Sequence, residues 1–382
     1  MFRRSATLSL RGNVVTFKKR PERFRSEDNG LHVHFGAGRL GLGLVVPSIR
    51  KRVVVVQRPS QEWNTLDLSR STVDLSVNGE TLMELVPCLS AEDALSATSS
   101  LLIADDPKHI LDVAVRATSF SCSIGRECVD ALMPVLGALS LRLDDRPVMY
   151  ACEEDSKAVY ELVLALIGRV DVVPCTADRI CVRRTVTETS IQVFAEKNKG
   201  QIVLYGEGVH PIDEGIATVV WDKEVAQYFR DENKAIVGST RALAAFVTRS
   251  RGDSATIDVS LFDKTERFEW AVAVLMHLAD KWGDDVVARA RDEPVSVFPE
   301  TIINTVVDVF DRIGDLDEET SDVFERGERR VYEEMISPIV DSYCRSSLGE
   351  TKVLAHLYSA TTPSVVDRAV RGLDEECANV YL

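Results

Sequence analysis

A doubly wound parallel sheet followed by a mostly α-helical second domain is the fold this sequence predicts, and three observations predict it. Short β-branched runs alternate with helical patterns over roughly the first half of the chain, a glycine turn stands between the first two runs, and beyond residue 212 the pattern changes to long amphipathic helices. At 382 residues, 45% hydrophobic and 27% charged, the chain has globular composition and is too long for one compact core.

The ordered part is expected to begin at Leu31-His32-Val33-His34-Phe35, a strand of period two, followed at once by Gly36-Ala37-Gly38-Arg39-Leu40-Gly41 and an apolar run to Val46. Val53-Val54-Val55-Val56 reads as a strand buried on both faces, since four β-branched residues in a row leave no polar side for solvent. Further strands are predicted at 71–77, 112–119, 147–151 and 179–182, with helices at 91–102, 125–139 and 156–167. A more polar pair, 190–195 and 201–206, reads as an antiparallel hairpin at the sheet edge. Helices are then predicted at 223–249, 264–282, 300–313 and 320–347. Residues 207–215, with Pro211, Gly208 and Gly215, have the best linker composition. The expected division is a basic extension at 1–27, a sheet domain at 28–212 and a helical domain at 213–382.

The net charge of -15 conceals an asymmetry, because residues 1–26 carry eight Lys/Arg against Glu22 alone and the remainder is more acidic than the whole. An acidic body repels phosphates, so no direct nucleic-acid binding is expected of it, and any such role would fall to the basic arm. That arm, opening Met1-Phe2-Arg3-Arg4-Ser5, has the composition of a transit peptide and points to mitochondria; the other reading is a basic tail that docks on an acidic or RNA surface. No stretch approaches the roughly 20 apolar residues of a spanning helix, so no membrane span is expected. The eight cysteines form no CxxC pair and the six histidines no HExxH, which predicts reduced core thiols and no metal site.

In Gly36-x-Gly38-x-x-Gly41 the first glycine permits the turn, the second lets a pyrophosphate approach the backbone, and the third allows close packing of strand and helix. Placed between two strands, the motif predicts a Rossmann-like dinucleotide site over Gly36, Gly38, Arg39, Leu40 and Gly41, with the phosphates at the helix N-terminus. The second strand ends in Gln57-Arg58-Pro59-Ser60, where an acid would hold the adenosine ribose of NAD. Arg58 and Ser60 without that acid favour NADP over NAD; the alternative is that Arg58 is a solvated loop cation.

His34-Phe35-Gly36-Ala37-Gly38-Arg39-Leu40-Gly41-Leu42-Gly43 resembles the opening motif of the mannitol-1-phosphate 5-dehydrogenases, within the polyol-specific long-chain dehydrogenases/reductases. Ala151-Cys152-Glu153-Glu154, Asp178-Arg179-Ile180 and the stretch from Ile303 to Ile339 resemble later motifs, so the resemblance covers about residues 31–345. It implies a polyol dehydrogenase fold with a catalytic Lys-x4-Asn-x2-His helix. In that pattern the lysine is the general base and the other two hold the developing oxyanion. Lys234 matches the lysine, while Ser239 stands at the asparagine position and Ala242 at the histidine position.

Ser239 could still donate one hydrogen bond, Ala242 none, and Arg241, at i+7 from Lys234 on a regular helix, is the nearby replacement. Glu154 replaces an amide of the family motif, and Glu333 and Glu334 stand where the family reads a phosphate with cations. Each retained residue also has a plainer reading: Lys234 as a surface lysine, and Glu153-Glu154-Asp155 as helix-capping carboxylates. The resemblance with these departures implies a protein that has lost polyol-phosphate oxidation and serves as an organellar binding or structural subunit, within a protein assembly, that can still hold NAD(P). The alternative is an active NADP-dependent oxidoreductase on a polyol or ketose, with Lys234 as base and Ser239 or Arg241 in the oxyanion role.

Overall fold

The four consecutive valines predicted as a buried strand lie at the centre of a twelve-stranded sheet. The computed structural model describes residues 7–10, 13–16, 30–142, 147–153, 156–206, 212–251, 254–324 and 327–345. In the basic N-terminal segment, β1 (Thr7–Leu10) and β2 (Asn13–Thr16) form a separate antiparallel ladder. The large sheet contains β3 (Leu31–Phe35), β4 (Arg52–Gln57), β5 (Val73–Val77), β6 (Glu80–Cys88), β7 (Ser99–Ile103), β8 (Ala117–Cys122) and β9 (Val148–Ala151). It is completed by β10 (Asp171–Asp178), β11 (Cys181–Val186), β12 (Ser190–Ala195), β13 (Gln201–Tyr205) and β14 (Ala217–Val220). The order is β11-β12-β5-β6-β7-β4-β3-β8-β9-β10-β13-β14. Its middle, β7-β4-β3-β8-β9-β10, is parallel throughout and has the 3-2-1-4-5-6 order of a doubly wound dinucleotide fold, with the order reversing between β3 and β8.

Alternation along the strands divides the core. Leu31, Val33 and Phe35 of β3, with Val54 and Val56 of β4, pack on helices α1 (Ala91–Ser96), α2 (Pro107–Ala114), α3 (Gly125–Arg142) and α4 (Ser156–Ala165) through residues such as Ile110, Leu136 and Leu162. Val53 and Val55 face the other way, toward Leu42 and Val46 of the short helix after the glycine turn. Each buried valine contributes about 2 kcal/mol by leaving water. That short helix is wide from Gly41 to Val45 and tightens at Val46–Ser48, where Pro47 ends the regular bonding.

Several expectations need correction. Segments 190–195 and 201–206 do not pair with each other: β12 lies between β11 and β5, and β13 between β10 and β14, at opposite ends of the sheet. β12 alternates half-buried and buried residues and pairs with β11, which immediately precedes it, whereas β13 is buried through Ile202–Leu204 and lies between β10 and β14. Residues 112–114 end helix α2 instead of starting a strand, because Asp106 and Pro107 nucleate a helix there. Segment 91–102 divides into α1 and the buried strand β7. The sheet continues past residue 212 to β14, and the two compact units divide between Ala226 and Gln227.

Helix α5 (Lys223–Asn233) runs across that division and is joined through a wide π-turn, Lys234–Gly238, to α6 (Ser239–Arg251) of the helical unit. The unit continues with α7 (Lys264–Trp282), α8 (Asp284–Arg291), α9 (Phe298–Gly314), α10 (Thr320–Val323), α11 (Glu328–Val331) and α12 (Ser337–Arg345), the last two separated by a second π-turn, Tyr332–Ile336. Asp263 and Glu266 form a capping box that fixes the start of α7. The predicted long helix 320–347 is therefore broken, with Gly327 at positive φ opening α11. No helix among the described residues is long and apolar enough to cross a membrane.

Candidate nucleotide site

The glycine turn lies where the strand order reverses. Gly36 has φ +99°, and an added Cβ would meet Cγ2 of Ile124 at 2.4 Å, so only glycine makes this turn. Its N–H donates to the Val56 carbonyl, 2.9 Å. The next N–H, of Ala37, donates to Oε1 of Gln57, 2.9 Å, so the residue standing in for the expected acid anchors the turn. The first helical bond runs from the Leu42 N–H to the Gly38 carbonyl, 2.9 Å, which makes Gly38 the start of the helix. A Cβ at Gly38 would meet only the Ser123 carbonyl, 3.5 Å away, and would otherwise project into the space a phosphate needs.

Arg39 donates from Nη1 to the Val182 carbonyl, 2.7 Å, and thus ties the turn to β11. Leu40 packs between the two cores on this face. Arg58 and Ser60 are exposed at the end of β4. A carboxylate does stand nearby: Glu62 accepts from Arg184, whose Nη1 also donates to the Ala37 carbonyl and whose guanidinium lies 4.8 Å from the centre of the Trp63 ring. Arg184 thereby neutralises Glu62 and clamps the turn from β11.

Beneath the short helix the sheet carries a buried polar row. His32 Nδ1 lies 2.8 Å from Ser119 Oγ and its Nε2 2.7 Å from Ser121 Oγ. His34 Nδ1 lies 2.6 Å from Ser121 Oγ and its Nε2 3.2 Å from Ser123 Oγ. Burial holds the His34 imidazole down to about 4, with the Gly36 carbonyl pulling weakly the other way, and burial together with His34 and Lys51 holds His32 well below the usual range. Both rings are neutral at ordinary pH. Across the crevice, the buried Glu153 carboxylate accepts from the N–H groups of Ile124, 2.6 Å, and Gly125, 2.9 Å. It is a capping carboxylate, as expected, but it caps α3 and not the helix that follows it in sequence. Burial and this carboxylate push the Cys122 thiol well up. Glu154 and Asp155 lie outside the described residues.

In the helical unit the candidate catalytic residues are differently disposed. Lys234 is exposed at the first position of the π-turn. Ser239 is fully buried and donates its hydroxyl to the Ala235 carbonyl. Arg241 holds the buried Glu318 through Nε and Nη2. The π-turn, closed by Ser239 N–H to Lys234 C=O, also shifts the register on which the i+7 spacing of Lys234 and Arg241 relies. Glu333 and Glu334 each pair one turn back with Arg329 and Arg330, so that segment is locally neutralised. Among the described residues no cluster of His, Cys, Asp and Glu could hold a metal ion.

No family model and no curated protein matches the chain. Solved structures do. A D-sorbitol dehydrogenase in its substrate-free form superposes with a TM-score of 0.55 and 13% identity over 91% of this chain and 82% of that one. The Pseudomonas fluorescens mannitol 2-dehydrogenase, in a ternary complex with NAD and D-mannitol, gives 0.54 and 10% over 92% and 81%. The chain has a Rossmann-like doubly wound fold followed by a mostly α-helical C-terminal domain. At these identities the likeness is one of fold.

Within that fold, sequence reasoning located the turn and missed what supports it. Ser119, Ser121 and Ser123 alternate with period two, as do His32 and His34, and that spacing was the available signal. It placed each set on one strand face without showing that the two faces adjoin. Glu62 lay just past the expected position, and only β11 reveals that Arg184 occupies it.

Proposed function

We propose that the chain holds a nicotinamide dinucleotide across Gly36–Gly41, does not oxidise polyol phosphates, and serves as a nucleotide-holding binding or structural subunit. The contrast between the two units carries this reading. In the sheet domain the turn, the space at Gly38 and the N–H groups of the first helical turn suit a pyrophosphate. In the helical domain both residues available as oxyanion donors are committed elsewhere, Ser239 to the Ala235 carbonyl and Arg241 to Glu318, and Ala242 offers no donor. The dinucleotide, when bound, is a hydride donor or acceptor. The positions of Ser239, Arg241 and Ala242 therefore present no aimed donor to the oxygen of a reacting alcohol. NADP is favoured because Arg58 is exposed where a 2'-phosphate would lie and Glu62 is already neutralised by Arg184.

One observation favours a second reading, an NADP-dependent oxidoreductase on a polyol or ketose with Lys234 as base. Lys234 opens a π-turn, a feature frequent at functional sites, and the paired Glu333 and Glu334 oppose a phosphate less than their sequence implies. Purified protein titrated with NADH and NADPH, then assayed with mannitol-1-phosphate and fructose-6-phosphate, separates the two. Binding without turnover is expected, whereas turnover abolished by Lys234→Ala would establish the second reading. The basic arm supports delivery to mitochondria, and residues 1–26 fused to a fluorescent reporter should carry it there; cytosolic fluorescence would leave a docking tail.

A further inference from the structure

We propose that Ser123 donates its hydroxyl proton to the pyrophosphate of the bound dinucleotide, and that the buried row Ser119-His32-Ser121-His34 behind it fixes that direction. The proposal rests on the nucleotide reading above and adds the group that meets the anion from the sheet side.

The polarity follows from counting protons. With both imidazoles neutral, each has one N–H and one bare nitrogen, and each hydroxyl donates once. Ser121 stands between His32 Nε2 at 2.7 Å and His34 Nδ1 at 2.6 Å, so it donates to one ring and accepts from the other. That choice sets every other bond, and the row has only two polarities. In the first, protons point inward: Ser123 donates to His34, and Ser119 accepts from His32. Ser119 then needs an acceptor for its own proton, yet it is 5% exposed and, among the described residues, its hydroxyl makes one hydrogen bond, with His32. In the second, protons point outward: Ser119 donates to His32 Nδ1, Ser121 to His34 Nδ1, and His34 donates from Nε2 to Ser123. Every buried proton then has an acceptor, as buried polar groups require.

The outward polarity leaves the Ser123 hydroxyl proton for the crevice. Ser123 is half-buried, and its Oγ lies 2.5 Å from where a Gly41 Cβ would stand, at the glycine turn itself. A hydroxyl whose oxygen already accepts from His34 Nε2 suits a ligand made only of acceptors, which is what a pyrophosphate presents.

Long-range 15N–1H NMR on the histidine-labelled full chain reads the tautomers directly. Both His32 and His34 are expected as Nε2–H, and an Nδ1–H form at either ring overturns the proposal. Fluorescence titration with NADH, and with inorganic pyrophosphate as a competitor, tests the contact. Ser123→Ala should weaken both by about tenfold, while Ser123→Thr, which keeps the hydroxyl, stays near wild type. Equal binding by Ser123→Ala and wild type overturns the proposal alone. Wild-type protein that binds neither NADH nor NADPH overturns the nucleotide reading and the Ser123 contact with it, even where both tautomers are as expected.

Discussion

A Cβ added to Gly41 would lie 2.5 Å from Nε2 of His34. The third glycine of the turn is therefore required by a buried imidazole as well as by the packing of helix on strand. The helix comes down directly over the bond between His34 and Ser123, and the same Cβ would also meet the Gly36 carbonyl at 2.9 Å.

Gly41→Ala is accordingly expected to destabilise the sheet domain by about 1–3 kcal/mol through overpacking, and to weaken dinucleotide binding by lifting the turn. Urea unfolding with a parallel NADH titration checks both. An unchanged unfolding midpoint would mean that the helix relaxes at no cost.

Stability should fall with acid across the histidine range. His34 ordinarily titrates at 6.5 and is held to about 4 by burial. Between those values the unfolded chain binds the proton that the folded chain refuses, so stability is complete above about pH 6.5 and is lost as pH falls toward 4. The loss attributable to His34 is about 3 kcal/mol. His34→Gln, which cannot titrate, should start less stable and show a shallower slope in urea midpoints over that window. A slope equal to wild type would assign the acid sensitivity elsewhere.

Cofactor choice depends on an exposed cation. Arg58→Ala should weaken NADPH by about 1.5–3 kcal/mol and leave NADH nearly unchanged, since only NADPH carries the 2'-phosphate. Equal losses in parallel titrations would show that Arg58 is a solvated loop residue.

The helical domain is built around a buried ion pair. Arg291 and Glu232 are 4% and 5% exposed and bonded to each other, and the Tyr228 hydroxyl donates to the same carboxylate, 3.1 Å. Glu232→Ala should cost about 3–5 kcal/mol by leaving the guanidinium uncompensated, whereas Glu232→Leu with Arg291→Met should cost much less. Thermal unfolding of the two variants decides it, and equal losses would show that packing, not charge, dominates.

The sequence by itself determined the fold class, because the period-two strands, the buried valine run at 53–56 and the glycine turn are local patterns whose physics needs no distant partner. It also determined the start of α7 and the substitutions at Ser239 and Ala242. The tertiary structure alone decided which strands adjoin, and hence that 190–195 and 201–206 lie at opposite ends of the sheet. It alone joined His34 to Ser121, 87 residues apart, and Arg184 to Glu62, 122 apart. It also placed the hydroxyl of Ser239 on a backbone carbonyl and the guanidinium of Arg241 on Glu318. The physical reason is that local periodicity fixes the face on which a side chain lies, while the group it meets depends on chain crossovers, whose length carries no record of the partner.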